Sequence, residues 1–139
     1  MQDIYVIVSW LAPFDNHVPI TAYRVELENA SGLFEEMVDL CDGSDREGLE
    51  EQFCKIPMHE FWQPRLNKAA GDIVKAKVVA INERGESVIS LENTTGALVQ
   101  TVPFEMIAVT DGDNTSGRQV HVRWTAPLDG LSAIQSYEL

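Results

Sequence analysis

The residues most able to do chemistry are two cysteines, Cys41 and Cys54, which enclose an acidic segment at residues 42–53. A pair of cysteines can be oxidised to a disulfide, remain as two buried thiols, or include a catalytic nucleophile. A nucleophilic thiol needs a nearby base, and no histidine or other base lies at a suggestive spacing from either cysteine. We therefore expect no catalysis here, while the disulfide and the free thiols both remain open.

Three Asn-x-Ser/Thr sequons form a second group of candidate sites, at Asn29, Asn93 and Asn114. Such sequons accept N-linked glycans on the surface loops of secreted proteins. Asn also prefers turns for its own backbone hydrogen bonds, so a purely structural role is the alternative. All three fall in predicted turns, and we predict N-glycosylation at these positions.

Other candidate sites are weak. The histidines His17, His59 and His121 are scattered, and no two of them have the spacing of zinc ligands. Residues 111–115 resemble the opening of a calcium-binding loop, but the twelfth position of that loop is the apolar Val122. Phosphate-binding loops and nucleophile elbows are also absent from the sequence. We expect no metal site, no cofactor and no enzymatic activity.

The overall charge and hydropathy exclude two classes of partner. The 139 residues include 22 acidic and 10 basic side chains, and a formal charge of −12 would repel a nucleic-acid backbone. No apolar run approaches the roughly 18 residues that a membrane-spanning helix needs. Residues 1–13 lack the features of a signal peptide, so we expect the chain to be an excerpt of a longer protein.

The elements that must position these residues are predicted to be strands. Apolar residues alternate with polar ones in three rows, as in half-buried antiparallel strands. The rows are Ile4, Val6, Val8 and Trp10; Tyr23, Val25 and Leu27; and Val74, Ala76, Val78 and Ala80. Only residues 45–52 and 57–70 have the length for helical turns. The pattern predicts an all-β sandwich.

An internal repeat relates the two ends of the chain. Residues 6–25 can be aligned without gaps with residues 120–139, so that Trp10 pairs with Trp124. Eight of the twenty aligned positions are identical. The identical positions of the first copy are Val6, Val8, Trp10, Ala12, Pro13, Asp15, Ile20 and Tyr23. The sequence therefore completes one period and begins the next, as in a tandem array.

These residues resemble fibronectin type III domains. Residues 8–13 (VSWLAP) and 20–25 (ITAYRV) are similar to strands B and C of that family, in which a buried Trp and a Tyr pack the centre. The family's strand F, F–G turn and strand G are matched by Leu66, Gly71, Val78, Ala80, Asn82, Gly85, Ser87 and Ser90. One departure is Val74, which stands where the family usually has the Tyr of the tyrosine corner.

The resemblance implies an immunoglobulin-like antiparallel sandwich, followed by the opening strands of a second, incomplete module. The core residues that it implies are Trp10, Tyr23, Val78, Trp124 and Tyr137. The cysteines are a second departure, and they are most similar to cysteine-bearing repeats of large secreted surface proteins. In an extracellular chain Cys41 and Cys54 are most simply a disulfide, which would contribute on the order of 3 kcal/mol to stability.

The resemblance also implies domain boundaries and a function. Residues 1–103 form a module that lacks its first strand, and residues 104–139 supply strands A, B and C of the next. We expect a structural module of an extracellular or cell-surface array, which forms a rod or filament through contacts with other copies or neighbouring repeats. The alternative is a recognition or adhesion module that binds a protein or glycan.

The missing first strand leaves a sheet edge that needs covering. We expect a segment equivalent to residues 104–110 of an adjacent copy to cover it. Either continuity of a longer chain or strand donation between chains would bring such a segment there.

Overall fold

The computed structural model describes residues 4–113 and 116–138. Its contacts divide the chain into two compact units, Met1–Val99 and Gln100–Leu139. They are called the first and the second unit below.

The first unit is built from antiparallel strands, as the alternating rows predict. Its strands are β1 (Tyr5–Ser9), β2 (Ile20–Glu28), β3 (Phe34–Glu36), β4 (Phe53–Pro57), β5 (Ala76–Asn82) and β6 (Gly85–Glu86). They form one sheet in the order β1-β4 and another in the order β3-β2-β5-β6. Among the described residues of this unit, helical structure is confined to one turn at Glu47–Glu51 and one at Met58–Trp62, inside the two segments expected to hold it. The all-β class is therefore confirmed.

The two sheets of the first unit enclose one hydrophobic core. Val25 of β2 is fully buried and lies opposite Val78 of β5, while Val6 of β1 lies opposite the fully buried Ile56 of β4. The buried cluster is Val6, Val25, Leu27, Met37, Cys41, Cys54, Ile56, Met58, Phe61, Leu66, Val74 and Val99. Of the predicted core residues in this unit, Tyr23 is buried, whereas Trp10 and Val78 are half-buried and pack against the cluster.

The outer face of the four-stranded sheet also buries an apolar side chain, which the alternating pattern does not predict. Val79 of β5 is buried although it faces away from the row formed by Val78 and its partners. It pairs in register with Arg24 of β2, whose guanidinium donates to the carboxylates of Glu26 and Glu86. Long charged side chains bury apolar surface with their stems while their heads stay solvated. This ion-paired layer accounts for the burial of Val79.

The second unit contains two short strands, β7 (Thr110–Asp111) and β8 (Val122–Arg123), which pair antiparallel. Trp124 and Tyr137, expected in a core, are 44% and 42% exposed. The expectation of burial is therefore wrong for these two residues. The described part of this unit forms no second sheet that would cover their rings.

Candidate functional site

The most distinctive feature of the first unit is the uncovered edge of β1. Trp10 donates its backbone N–H to Gln52, and Ile4 accepts from Met58, so the even-numbered residues of β1 bond to β4. In an antiparallel pair the backbone groups of alternate residues point to opposite sides of the strand. The N–H and C=O groups of Tyr5, Ile7 and Ser9 therefore point away from β4. Among the described residues no strand pairs with them.

A second feature is the segment of residues 87–97, which runs along β5 and is held there by side-chain hydrogen bonds. The hydroxyl of Ser87 accepts the N–H of Ala80 at 2.9 Å, and the hydroxyl of Ser90 accepts the N–H of Val78 at 2.9 Å. Three residues further, the Asn93 amide accepts from Ala76 and donates to Val74. Side chains spaced by three thus replace part of the backbone ladder of a regular strand.

An open cavity of about 510 Å³ lies between these two features. Its walls include Val6, Val8 and Trp10 of the first sheet, Val74, Ala76 and Val78 of the second, and Ser87, Val88, Ser90 and Leu91 of the segment beside β5. The side chains of Val88 and Leu91 are each 92% exposed. The apolar interior of the first unit is thus accessible from the side on which β1 has no partner.

Trp10 and Tyr23 meet at the wall of this cavity. Their ring centroids lie 5.4 Å apart in an edge-to-face arrangement, which the ring quadrupoles favour. Burial raises the pKa of the Tyr23 hydroxyl above its ordinary value. The indole nitrogen of Trp10 is buried and has no hydrogen-bond partner among the described residues. A buried donor without an acceptor is costly.

The same aromatic pair recurs in the second unit. Trp124 and Tyr137, the equivalents of Trp10 and Tyr23 in the repeat, have ring centroids 5.7 Å apart. Each tryptophan directly follows a strand, β1 in one unit and β8 in the other. The local arrangement therefore recurs even though the burial of the rings does not.

The turn that follows each tryptophan is also repeated. Asp15 accepts the N–H of His17 at 2.9 Å, and Asp129 accepts the N–H of Leu131 at 3.0 Å. The two residues after each aspartate have positive φ in both copies: Asn16 (53°), His17 (67°), Gly130 (67°) and Leu131 (67°). Positive φ is uncommon for residues other than glycine, and among them Asn and His are enriched there. Agreement at such uncommon dihedrals shows that the repeated sequence folds in the same way twice.

The predicted disulfide between Cys41 and Cys54 is present. The two Cα atoms lie 5.4 Å apart, and both residues are buried in the core cluster. The acidic loop between them folds against β2, where Gly43 accepts the N–H of Tyr23 at 3.0 Å. A side chain at Gly43 would collide with the Tyr23 carbonyl, so the close approach requires glycine. Hydrogen bonds from the Ser44 hydroxyl and backbone lower the pKa of Asp42 in this loop.

The sequons lie in different surroundings. The Asn29 side-chain oxygen accepts from Ser31 and Leu33 at the tip of the β2–β3 hairpin, and its nitrogen donates to Glu35 at 3.3 Å. The Asn93 nitrogen donates to two carbonyls, at 2.8 and 2.9 Å. Asn114 lies outside the described residues. Glycosylation of these residues stays a prediction, but the nitrogen of Asn93 is already committed to the fold.

Sequence reasoning named Ser87 and Ser90 as part of a family pattern but missed their role as substitutes for backbone groups. The signal was present, because Ser87, Ser90 and Asn93 are spaced by three next to a strand with period two. Within residues 4–113 and 116–138, no three His, Cys, Asp or Glu side chains are grouped as metal ligands. No helix formed by the described residues has the length and apolar character to cross a membrane.

Comparisons with known proteins add no relative. Neither the models of known protein families nor the curated proteins include a match for this chain. Its function is inferred below from its own residues and their geometry.

Proposed function

We propose that the chain is part of an extracellular tandem array of fibronectin type III-like modules whose role is structural. The observation that carries the proposal is the recurrence of one local structure in two compact units. The Trp10–Tyr23 and Trp124–Tyr137 rings have similar centroid distances, 5.4 and 5.7 Å, with interplanar angles of 62° and 47°. The Asp15 and Asp129 turns make the same carboxylate-to-backbone hydrogen bond. An array of similar modules is the simplest origin of such a recurrence.

The order of the strands supports the choice of family. If β1 and β2 are strands B and C, then β3, β4, β5 and β6 occupy the positions of C′, E, F and G. The observed orders then read B-E and C′-C-F-G, which agree with the division of strands between the two sheets of an immunoglobulin-like sandwich. In the second unit β7 lies beside β8 as strand A lies beside strand B.

Three features support an extracellular location. The disulfide is of a kind that persists in oxidising compartments. The hairpin sequon at Asn29 is exposed at its neighbours Ala30 and Ser31, where an oligosaccharide would project into solvent. The surplus of acidic side chains would keep such modules soluble at high local concentration.

A recognition module is the second candidate, and one observation favours it. Leu11 and Phe14, in the loop after β1, are 94% and 73% exposed. Loops at the ends of immunoglobulin-like sandwiches commonly carry binding residues. In this case Leu11 and Phe14 would contact a protein or glycan partner, and the module would act singly.

Electron microscopy of the native protein, combined with mass spectrometry of its glycopeptides, separates these functions. The structural proposal predicts rods or filaments with a regular axial repeat, and sugar on the Asn29 peptide. Single globular particles whose ligand binding is lost in Phe14→Ala would instead establish the recognition module. Particles without either property, and without glycans, would contradict the extracellular location as well.

A further inference from the structure

The segment with which the second unit begins is hydrogen-bonded to the second copy of the repeated turn. The N–H of Thr101 donates to the carbonyl of Gly130 at 2.8 Å, and the N–H of Phe104 donates to that of Leu128 at 2.9 Å. We call residues 101–104 the strap. Two backbone bonds thus join the strap to the turn.

The close approach of the strap depends on the absence of a side chain at Gly130. This residue is buried, and a Cβ atom added to it would lie 2.6 Å from the carbonyl oxygen of Thr101 and 2.7 Å from that of Val102. Both oxygens belong to the backbone, which cannot turn aside as the end of a flexible side chain can. Glycine is the usual residue where two backbones approach so closely. Any other residue at position 130 would therefore displace the strap.

The turn itself does not require glycine, as the first copy shows. Asn16 is the equivalent of Gly130, and their φ angles are 53° and 67°. Each turn closes with the same backbone bond, from the residue two positions after Asn16 or Gly130 to the residue before it, at 3.1 and 3.2 Å. Asn is one of the residues that favour turns with positive φ. The glycine at position 130 is therefore explained by the strap and not by the turn.

The strap begins almost directly after the last anchored residue of the first unit. Val99 is fully buried there, donates its N–H to Asp72 at 2.8 Å and accepts that of Gly71 at 2.9 Å. Thr101 is already bonded to the turn of the second unit. One residue, Gln100, separates the two anchors. Because each residue contributes two soft backbone dihedrals, few are left to vary in this connection.

We propose that the residue after the turn aspartate sets the freedom of the connection that leads into each module of the array. Glycine at this position, as in Gly130, lets the strap dock and shortens the connection to one residue. A larger residue, such as Asn16 in the first copy, keeps the turn but excludes a strap docked in this way. The inference rests on the array of the proposed function, and it deepens that function by naming the residue that controls the joints.

Hydrogen exchange resolved by residue in the full chain tests the role of Gly130. Gly130→Asn should raise the exchange rates of the Thr101 and Phe104 amides roughly tenfold, because each loses a backbone hydrogen bond. The amides of Leu131 and Ser132 should keep their protection, since the first copy forms the same turn with asparagine. If Gly130→Asn also opens the turn, the turn itself requires glycine and the proposal is wrong.

The matched control is Asn16→Gly, which makes the opposite change in the first copy and should leave both strap amides unchanged. Thr101→Pro is an independent test, because it removes one donor of the strap without adding an atom to the turn. It should release the Phe104 amide while the turn stays protected. The strap does not exist if the Phe104 amide is protected in both Gly130→Asn and Thr101→Pro, or exchanges freely in the natural chain.

Failure of this inference is distinguishable from failure of the proposed function. Rods in micrographs of a chain whose strap amides are unprotected would leave the array and remove the strap. A protected strap in a protein that forms no rods would leave the docked segment and remove the array. Where rods form, those of Gly130→Asn should curve more than those of the natural chain, because their connections are longer. Unchanged curvature would overturn the control of the joints by this residue.

Discussion

The two units contain nearly the same aromatic pair and turn, yet they bury them to different extents. Tyr23 is 3% exposed, whereas Tyr137 is 42% exposed, although each ring lies within 6 Å of its tryptophan. In the first unit Trp10 follows β1 of one sheet and Tyr23 lies in β2 of the other, whereas the described part of the second unit has one two-stranded sheet. The comparison teaches that the repeated sequence determines the local geometry, while burial depends on strands far away in the chain.

Truncation of the equivalent tyrosines should give the largest difference between the units. Tyr23→Ala removes a buried ring and should cost about 3–5 kcal/mol of unfolding free energy. Tyr137→Ala should cost several-fold less, because much of its ring is already in water. Hydrogen exchange resolved by residue would measure the loss of protection in each unit. Equal losses would show that the rings are buried to the same extent in solution.

Removal of the disulfide should sharpen the same contrast. The double variant Cys41→Ala and Cys54→Ala should lower the unfolding free energy of the first unit by about 3 kcal/mol, since the unfolded chain gains freedom. Protection of amides in the second unit should not change. Denaturant unfolding followed by hydrogen exchange would check this, with the reduced natural chain as the control. A loss of protection near Trp124 would contradict this expectation.

The sequence pattern predicts much of the fold of the first unit, and its failures have physical causes. The rows that contain Val6, Tyr23 and Val25 gave the strands correctly, because alternation reports which face is buried. The same reasoning placed Trp124 and Tyr137 in a core, because a repeat predicts local structure but not whether the covering sheet is present. The burial of Val79 was also missed, since it depends on an ion-paired layer over a face that alternation assigns to solvent.

The candidate site was predicted only in part. Among the described residues no strand pairs with the outward backbone groups of Ile7 and Ser9. The cavity and the unpartnered indole of Trp10 depend on the packing of β1 against residues distant in sequence. Pattern alone contains no information on such distances.

Substitutions in the Asn93 sequon test whether this asparagine stabilises the fold or carries a glycan. Asn93→Ala should cost about 1–2 kcal/mol, because the N–H of Ala76 and the carbonyl of Val74 lose their partner. Thr95→Ala is the matched control, since it removes the sequon and leaves the Asn93 amide intact. We expect little change in its unfolding free energy.

Mass spectrometry of glycopeptides from the native protein should agree with that result. We expect glycan occupancy to be higher at Asn29 than at Asn93, whose nitrogen already makes two hydrogen bonds. Full occupancy at Asn93 together with a neutral Asn93→Ala variant would mean that its bonds to β5 do not stabilise the fold.

The turns should give the smallest and most equal effects. Asp15→Ala and Asp129→Ala each remove one carboxylate acceptor from a backbone N–H, at 2.9 and 3.0 Å. Exposed local bonds of this kind contribute about 0.5–1.5 kcal/mol, and neither depends on the second sheet. The two variants should therefore lose similar amounts of local protection from hydrogen exchange, while Asn replacements, which keep an acceptor, should lose less. If Asp129→Ala were much more damaging than Asp15→Ala, the turn would be the main support of the second unit. The contrast between the units would then extend to local structure.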